Sequence, residues 1–275
     1  KNDIATDGFY MLALSVRDQA MYVGIRSTFY RIATIAGQGL LVVLAGELEK
    51  RTSTIAMAWS ITFYILAGLF IAFYLYHSYI LPHPASDKPA VGNVTANNIF
   101  KEFFATFASF FKKPQAGVAI LFMLFYRLPE AQLVKLINPF LLDPIEKGGL
   151  GLSTAEVGWV YGTIGIIGLT LGGIIGGICA AKGGLQKWLW PMAWSISLTC
   201  ITFVYLGYFQ PQDLLTINIC VFIEQFGYGF GFTAYMLYLI YYSDGEHKTA
   251  HYAICTAFMA LGMMLPGMMA GWRRR

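Results

Sequence analysis

Residues Thr54–Tyr76 read TIAMAWSITFYILAGLFIAFYLY, a run of about 23 residues without a single charged side chain. As a helix rising 1.5 Å per residue it would extend roughly 34 Å, enough to cross a bilayer hydrocarbon core of about 30 Å. The run does not alternate apolar with polar positions as a barrel strand must, and inside lipid only helices and closed barrels satisfy their own backbone. Similar runs fill most of the chain. With 57% hydrophobic and 12% charged residues and a mean hydropathy of +0.57, there is too little polar surface to coat a soluble globule. The expected fold class is all-α, a polytopic helical membrane protein.

Working outward from that run, full spans are expected at Tyr22–Ala45, Thr54–Tyr76, Ala116–Leu142, Thr154–Ala181, Trp188–Tyr208, Leu214–Tyr242 and Tyr252–Ala270, with a partial one at Ile4–Leu14. Loop charge orients them, because Lys and Arg in short loops stay on the cytoplasmic side. One set of connections carries Arg17, Arg26, Lys88, Lys101, Lys112, Lys113, Lys182, Lys187 and Lys248; the opposite set carries only Lys50, Arg51 and Lys147. The first set is therefore expected to face the cytoplasm. Arg273, Arg274 and Arg275 fall on the outer side by this reckoning, and a chain that opens inside a span and stops on three arginines is expected to be a piece of a longer protein. The net charge of +4 reflects this bias, and no nucleic-acid partner is expected.

From Leu81 to Pro114 the composition turns to Pro, Asn, Ser, Asp and Lys and then to the amphipathic stretch Asn98–Lys113. Its phenylalanines with flanking lysines suit a helix lying on the inner membrane surface, and equally a linker whose aromatics dock against the bundle. Either way the stretch divides two helical blocks, Lys1–Leu81 and Gln115–Arg275.

Several residues inside the spans carry possible chemistry, since charges at membrane depth are costly and usually face a bundle interior or a wet cavity. In Tyr126-Arg127-Leu128-Pro129-Glu130 the proline has no N–H for the Phe125 carbonyl and crowds it, which should kink or open the helix. Arg127 and Glu130, three apart, can pair with each other or across helices. A broken helix with an ion pair at depth is a way to build a transporter site, and a structural pair holding a kink is the plainer reading. Ser27, Arg31, Thr34 and Gln38 form a polar stripe at helical spacing. Asp3, Asp7 and Tyr10 share another face, and two carboxylates one turn apart can lift one another toward neutral titration. The alternative is that the aspartates pair with arginines such as Arg31 and never titrate. Glu224, Tyr228, Gly231, Tyr235, Tyr238 and Tyr242 share a face in which carboxylate and phenols suit a sugar or amphipathic ligand, with the tyrosines nearest Tyr242 acting as an interfacial belt.

Other features are read structurally. Gly158, Gly162, Gly165, Gly168, Gly172, Gly173, Gly176 and Gly177 give a small-residue spacing for close helix packing. Cys179, Cys200, Cys220 and Cys255 sit in apolar runs without a Cys-x-x-Cys pattern and read as small buried hydrophobes. His247 and His251 stand at a metal-compatible spacing with no third ligand in view, so no metal is expected. No phosphate-binding loop occurs, which argues against an ATP-driven pump. No cofactor, no catalytic residue and no enzymatic activity are expected.

Asp3-Ile4-Ala5-Thr6-Asp7-Gly8-Phe9-Tyr10, Gly24-Ile25-Arg26-Ser27-Thr28-Phe29-Tyr30-Arg31-Ile32-Ala33, Phe125-Tyr126-Arg127-Leu128-Pro129-Glu130 and Pro139-Phe140-Leu141-Leu142-Asp143 together resemble the AmpG-type muropeptide permeases of the major facilitator superfamily. The resemblance runs over nearly the whole chain. It implies that residues 1–81 are the end of the N-terminal bundle, about spans four to six, that 82–114 are a cytoplasmic linker, and that 115–275 are spans seven to eleven of the C-terminal bundle. Gly176–Gly184 falls where the superfamily's glycine-rich cytoplasmic loop recurs, although the usual Asp-Arg pair is absent. The resemblance further implies a monomeric, multi-pass carrier of the bacterial inner membrane, importing cell-wall muropeptides or amino-sugar oligosaccharides with protons. The alternatives are a permease of the same superfamily for another oligosaccharide or a drug, and a non-transporting receptor or scaffold. On the importer reading, Arg31, Gln38, Arg127, Glu224, Tyr228 and Tyr235 are the expected substrate residues and Glu130, Asp3 and Asp7 the expected proton-coupling residues. The two blocks would rock about a central cavity.

Overall fold

The computed structural model describes residues 2–35, 41–52, 54–81 and 96–273. The helices are α1 (Asn2–Ala13), α2 (Val16–Ile35), α3 (Leu41–Thr52), α4 (Ile55–Ile80), α5 (Ala96–Phe111), α6 (Ala116–Phe125), α7 (Leu128–Leu142), α8 (Thr154–Trp159), α9 (Ile166–Gly183), α10 (Leu185–Leu198), α11 (Ile201–Phe209), α12 (Leu214–Ser243) and α13 (Lys248–Arg273). A π turn, Val160–Gly165, joins α8 to α9. Among the described residues all regular structure is helical, and six stretches are long and apolar enough to cross a membrane: Ile55–Ile80, Ala116–Leu142, Glu156–Gly183, Leu185–Phe209, Leu214–Ser243 and Lys248–Met269. Each coincides with an expected span.

The span expected at Tyr22–Ala45 is different. No single described helix covers it: α2 begins earlier, α3 runs on through Thr52, and residues 36–40 lie outside the described residues. The charged cluster expected as an outer loop is thus the last turns of α3. There Glu47 meets Lys50 at 3.4 Å and Arg51 at 3.5 Å, pairs three and four residues apart that suit a helix surface.

By their packing the helices fall into two compact units, one of Lys1–Thr28 with Ala90–Arg275 and one of Phe29–Pro89. In the smaller unit α3 packs on α4, where Ala58 and Thr62 are buried. In the larger unit α12 is the axis, flanked by α9 and α10, while α13 packs on α6 and α7. Its core divides into a cluster around Met123, Tyr126, Met192, Tyr235, Leu239 and Tyr252 and another around Leu141, Val160, Leu206, Ile217 and Val221.

The glycine spacing of α9 works by absence. A Cβ at Gly172 would overlap the Phe226 carbonyl and one at Gly173 would sit 3.0 Å from Gly24 Cα, so α9 rests backbone to backbone on α12 and on the first part of α2. Inside lipid, where burying apolar side chains gives no drive for helices to associate, that close contact is what joins them. The span expected at Trp188–Tyr208 is interrupted between α10 and α11. At the interruption Thr202 and Phe203 bond back three residues, to the Thr199 and Cys200 carbonyls.

Candidate functional site

The chain breaks where Pro129 requires it. Tyr126 N–H makes the last bond of α6, to the Phe122 carbonyl at 2.9 Å, and Ala131 N–H makes the first of α7, to the Arg127 carbonyl at 2.8 Å. Between them Arg127 leaves helical geometry at φ −104° and ψ 16°. Pro129 falls in the first turn of α7, where its missing N–H would have had no partner in any case.

The break turns Arg127 and Glu130 inward together. Arg127 is 8% exposed and Glu130 4%. The guanidinium donates from Nε to Glu130 Oε2 at 2.9 Å, its Nη2 lies at 2.9 Å from the same oxygen, and Nη2 also donates to the Tyr228 hydroxyl at 2.9 Å. Its carbon sits 4.8 Å from the centre of the Phe232 ring and 5.4 Å from that of Tyr228, so the charge is held by aromatic faces as well as by the carboxylate. A buried pair of this kind is stable only while both partners stay, because removing one leaves the other charge in a medium that solvates it poorly.

One turn before Tyr228 on α12, Glu224 is 3% exposed and accepts from Gln225 Nε2 at 2.8 Å. Glu224 thus lies one helical turn before the phenol that bonds Arg127. The side-chain oxygen of Gln225, Oε1, is buried without a protein donor among the described residues. Gly165, at the end of the π turn, faces the Gln225 side chain and leaves room for it.

Tyr235 lies two turns beyond Tyr228 and is fully buried. Its hydroxyl donates to the Met123 carbonyl at 2.6 Å and its ring stacks on Tyr126 at 4.9 Å, while Tyr126 donates to the Gly231 carbonyl at 2.9 Å. These phenols bind α12 to α6 just before the break, so the Tyr235 hydroxyl is committed to the backbone of α6. Sequence reasoning passed over Tyr126, Phe232 and Gln225. Only the proximity of Tyr126 to Arg127 in the chain pointed to the first.

The remaining expected residues lie elsewhere or cannot be placed. Asp7 is buried and forms an ion pair with Arg26 of α2, whose guanidinium lies 5.3 Å from the centre of the Tyr10 ring. Gln19 closes the same corner, donating to the Met11 and Leu14 carbonyls at 3.2 and 2.9 Å. Asp7 thus has Arg26 as its partner, the pairing alternative with a different arginine from the one expected. The side chains of Asp3, Ser27, Arg31 and Thr34, and all of Gln38, lie outside the described residues. Among the described residues no group of three metal-ligating side chains comes together.

The family profile described as Major Facilitator Superfamily matches residues 8–271. Among curated relatives, a Rickettsia typhi protein whose name designates it transporter AmpG 2 is 27% identical over 98% of this chain and 60% of its own length. The anhydromuropeptide permease of Escherichia coli K12 is 22% identical over 98% of this chain and 51% of its own length. A Rickettsia conorii protein designated transporter AmpG 4 is 24% identical over 94% of this chain and 59% of its own. The chain spans about half to three fifths of the length of the curated relatives it matches.

Proposed function

The chain belongs to the Major Facilitator Superfamily, and from that premise we propose that this multi-pass membrane protein is a carrier that imports cell-wall-derived muropeptides or amino-sugar oligosaccharides across the bacterial inner membrane, driven by protons. The cargo class is taken from relatives named as AmpG transporters and as an anhydromuropeptide permease. One observation carries the reading: the guanidinium of Arg127 is held at a helix break by a carboxylate and a phenol, all within a membrane-crossing segment and its neighbour. Arginine suits an acidic cargo because its planar fork meets a carboxylate with two bonds and keeps its charge.

In this reading the cargo's carboxylate competes for Arg127, Glu130 loses its counter-charge, and a carboxylate left at depth takes up a proton. The neutral, loaded carrier then reorients. Tyr228 and Glu224 hold sugar hydroxyls and Tyr235 shapes the wall. Arg31 and Gln38 are given a cargo-binding role, and Asp3 and Asp7 a reserve coupling role, from their sequence pattern alone. The test is uptake of labelled anhydromuropeptide by cells carrying the gene, with and without a protonophore. Uptake above the background of gene-free cells that collapses with the protonophore is the expected result. Protonophore-insensitive uptake would remove the proton, and no uptake would remove the cargo.

A further inference from the structure

The amphipathic stretch after the linker forms α5, which does more than lie beside the bundle. Phe110 is fully buried, packed edge-on against Tyr242 and His251 and stacked 6.1 Å from Phe258. Ser109 Oγ lies 2.9 Å from His251 Nε2. Just past the helix, Lys113 donates to the Tyr242 and Asp244 carbonyls at 2.6 and 2.7 Å, capping the end of α12 where backbone acceptors have no helical partner. Desolvation draws the Lys113 ammonium below its ordinary pKa, while the Asp244 carboxylate acts the other way. The C-terminal end of α5 is thereby fixed to the ends of α12 and α13.

Toward the middle of α5, where the Thr106 carbonyl still meets His251 Nε2 at 3.3 Å, the two helices leave a groove of about 440 Å³ between them. Apart from Thr106 the lining is hydrocarbon, with Phe103 and Phe107 on one wall and Ala253, Ala257, Phe258 and Leu261 on the other. A sugar or a peptide would find almost no hydrogen-bond partner here. The groove follows the first turns of a membrane-crossing helix, so it starts at the membrane boundary and runs inward. Lys101, exposed on α5, lies about half a turn from Phe103 and Phe107, and Lys112, also exposed, sits in the turn just past the end of the helix. In a helix lying in the interface, that arrangement sends ammonium groups to the phosphates while the rings stay with the chains.

We propose that the groove between α5 and α13 is a phospholipid site: it takes one acyl chain of an anionic phospholipid from the leaflet on the lysine-rich side, with the headgroup held at the level of Lys101 and Lys112. The alanines of α13 supply the width, and the bonds of Ser109 and Lys113 fix one end of α5 against the bundle. The site does not depend on the identity of the cargo.

The test uses the purified protein in zwitterionic nanodiscs doped with phosphatidylglycerol carrying a photoreactive group in its acyl chain, or with phosphatidylcholine carrying the same chain. Labelled residues are mapped by mass spectrometry. Labelling should concentrate on residues 103–107 and 250–261, at least fivefold higher with phosphatidylglycerol. The double variant Ala253→Phe/Ala257→Phe, which fills the groove, should cut it at least fivefold. Lys101→Gln with Lys112→Gln should leave elution and melting unchanged and make the two lipids equal. Labelling spread evenly over the lipid-facing helices, labelling indifferent to the filled groove, or a crosslink to a second protein copy in place of lipid would overturn the proposal. Should the filled variant fail to fold, the exposed lysine pair still decides, since retained preference for phosphatidylglycerol without it also overturns the proposal.

Discussion

Helix α12 has two seams made of opposite materials. Against α9 it is backbone on backbone: Phe226 and Phe230 present their main chain to Gly172, and Gly229 approaches Leu169. Against the α6–α7 break it is charge and phenol, with Arg127 bonded to Tyr228 and Tyr126 to the Gly231 carbonyl. The first seam has one arrangement, because any shift drives backbone atoms together or opens a gap that forfeits their contact. The second has groups that can exchange partners, because a guanidinium, a carboxylate and a hydroxyl can each bond to something else that arrives. The difference shows where this unit is a joint and where it can respond.

The largest effect is expected from breaking the joint. Gly172→Leu forces a side chain into the Phe226 carbonyl, and nearly all folded protein should be lost, read as the monodisperse peak in detergent chromatography. Gly158, in the same glycine-rich stretch, has open space at its Cβ position, and Gly158→Ala should leave that peak unchanged. Equal yields of the two variants would mean that the seam is not rigid.

At the responsive seam, Arg127→Lys keeps the charge and loses the fork that serves Glu130 and Tyr228 together. Apparent KM for the cargo should rise about tenfold or more with expression intact. Near-normal uptake would take Arg127 out of the site. Tyr228→Phe removes one hydrogen bond to the guanidinium, and KM should rise only about fivefold, the equivalent of roughly 1 kcal/mol. A larger loss than that of Arg127→Lys would make the phenol, rather than the arginine, the principal contact.

The smallest effect lies far from both seams. Asp213 caps α12, its carboxylate accepting from Thr216 N–H at 2.8 Å, and that bond holds its pKa below the ordinary value. Asp213→Ala should lower the melting temperature slightly and leave transport kinetics alone. A change in KM would link the helix end to the site.

Much of this was legible in the chain. Six spans could be read because lipid demands long apolar runs, and the break because Pro129 cannot donate a bond whatever its surroundings. Arg127 and Glu130 could be paired from their spacing. What the sequence left open depended on which helix lies alongside. Tyr228 and Tyr235 share a face by periodicity, yet Tyr228 meets a guanidinium and Tyr235 the Met123 carbonyl, because they fall on either side of the break in the neighbouring helix. Arg26 as the partner of Asp7 needed the turn between α1 and α2. The docking of Phe110 needed the packing of α13, and it decides only half of the earlier question about α5: one edge is docked, while Phe100, Phe103 and Phe104 remain exposed.

The central claim is that Glu130 couples cargo to the proton because Arg127 holds it only until cargo arrives. It is tested most directly by comparing net uptake with exchange in vesicles bearing Glu130→Gln, a side chain of similar size that cannot titrate. The account predicts that accumulation against a gradient is lost while exchange of internal for external cargo persists, since exchange requires no net proton cycle. Accumulation that persists in the variant and still collapses with a protonophore would contradict it.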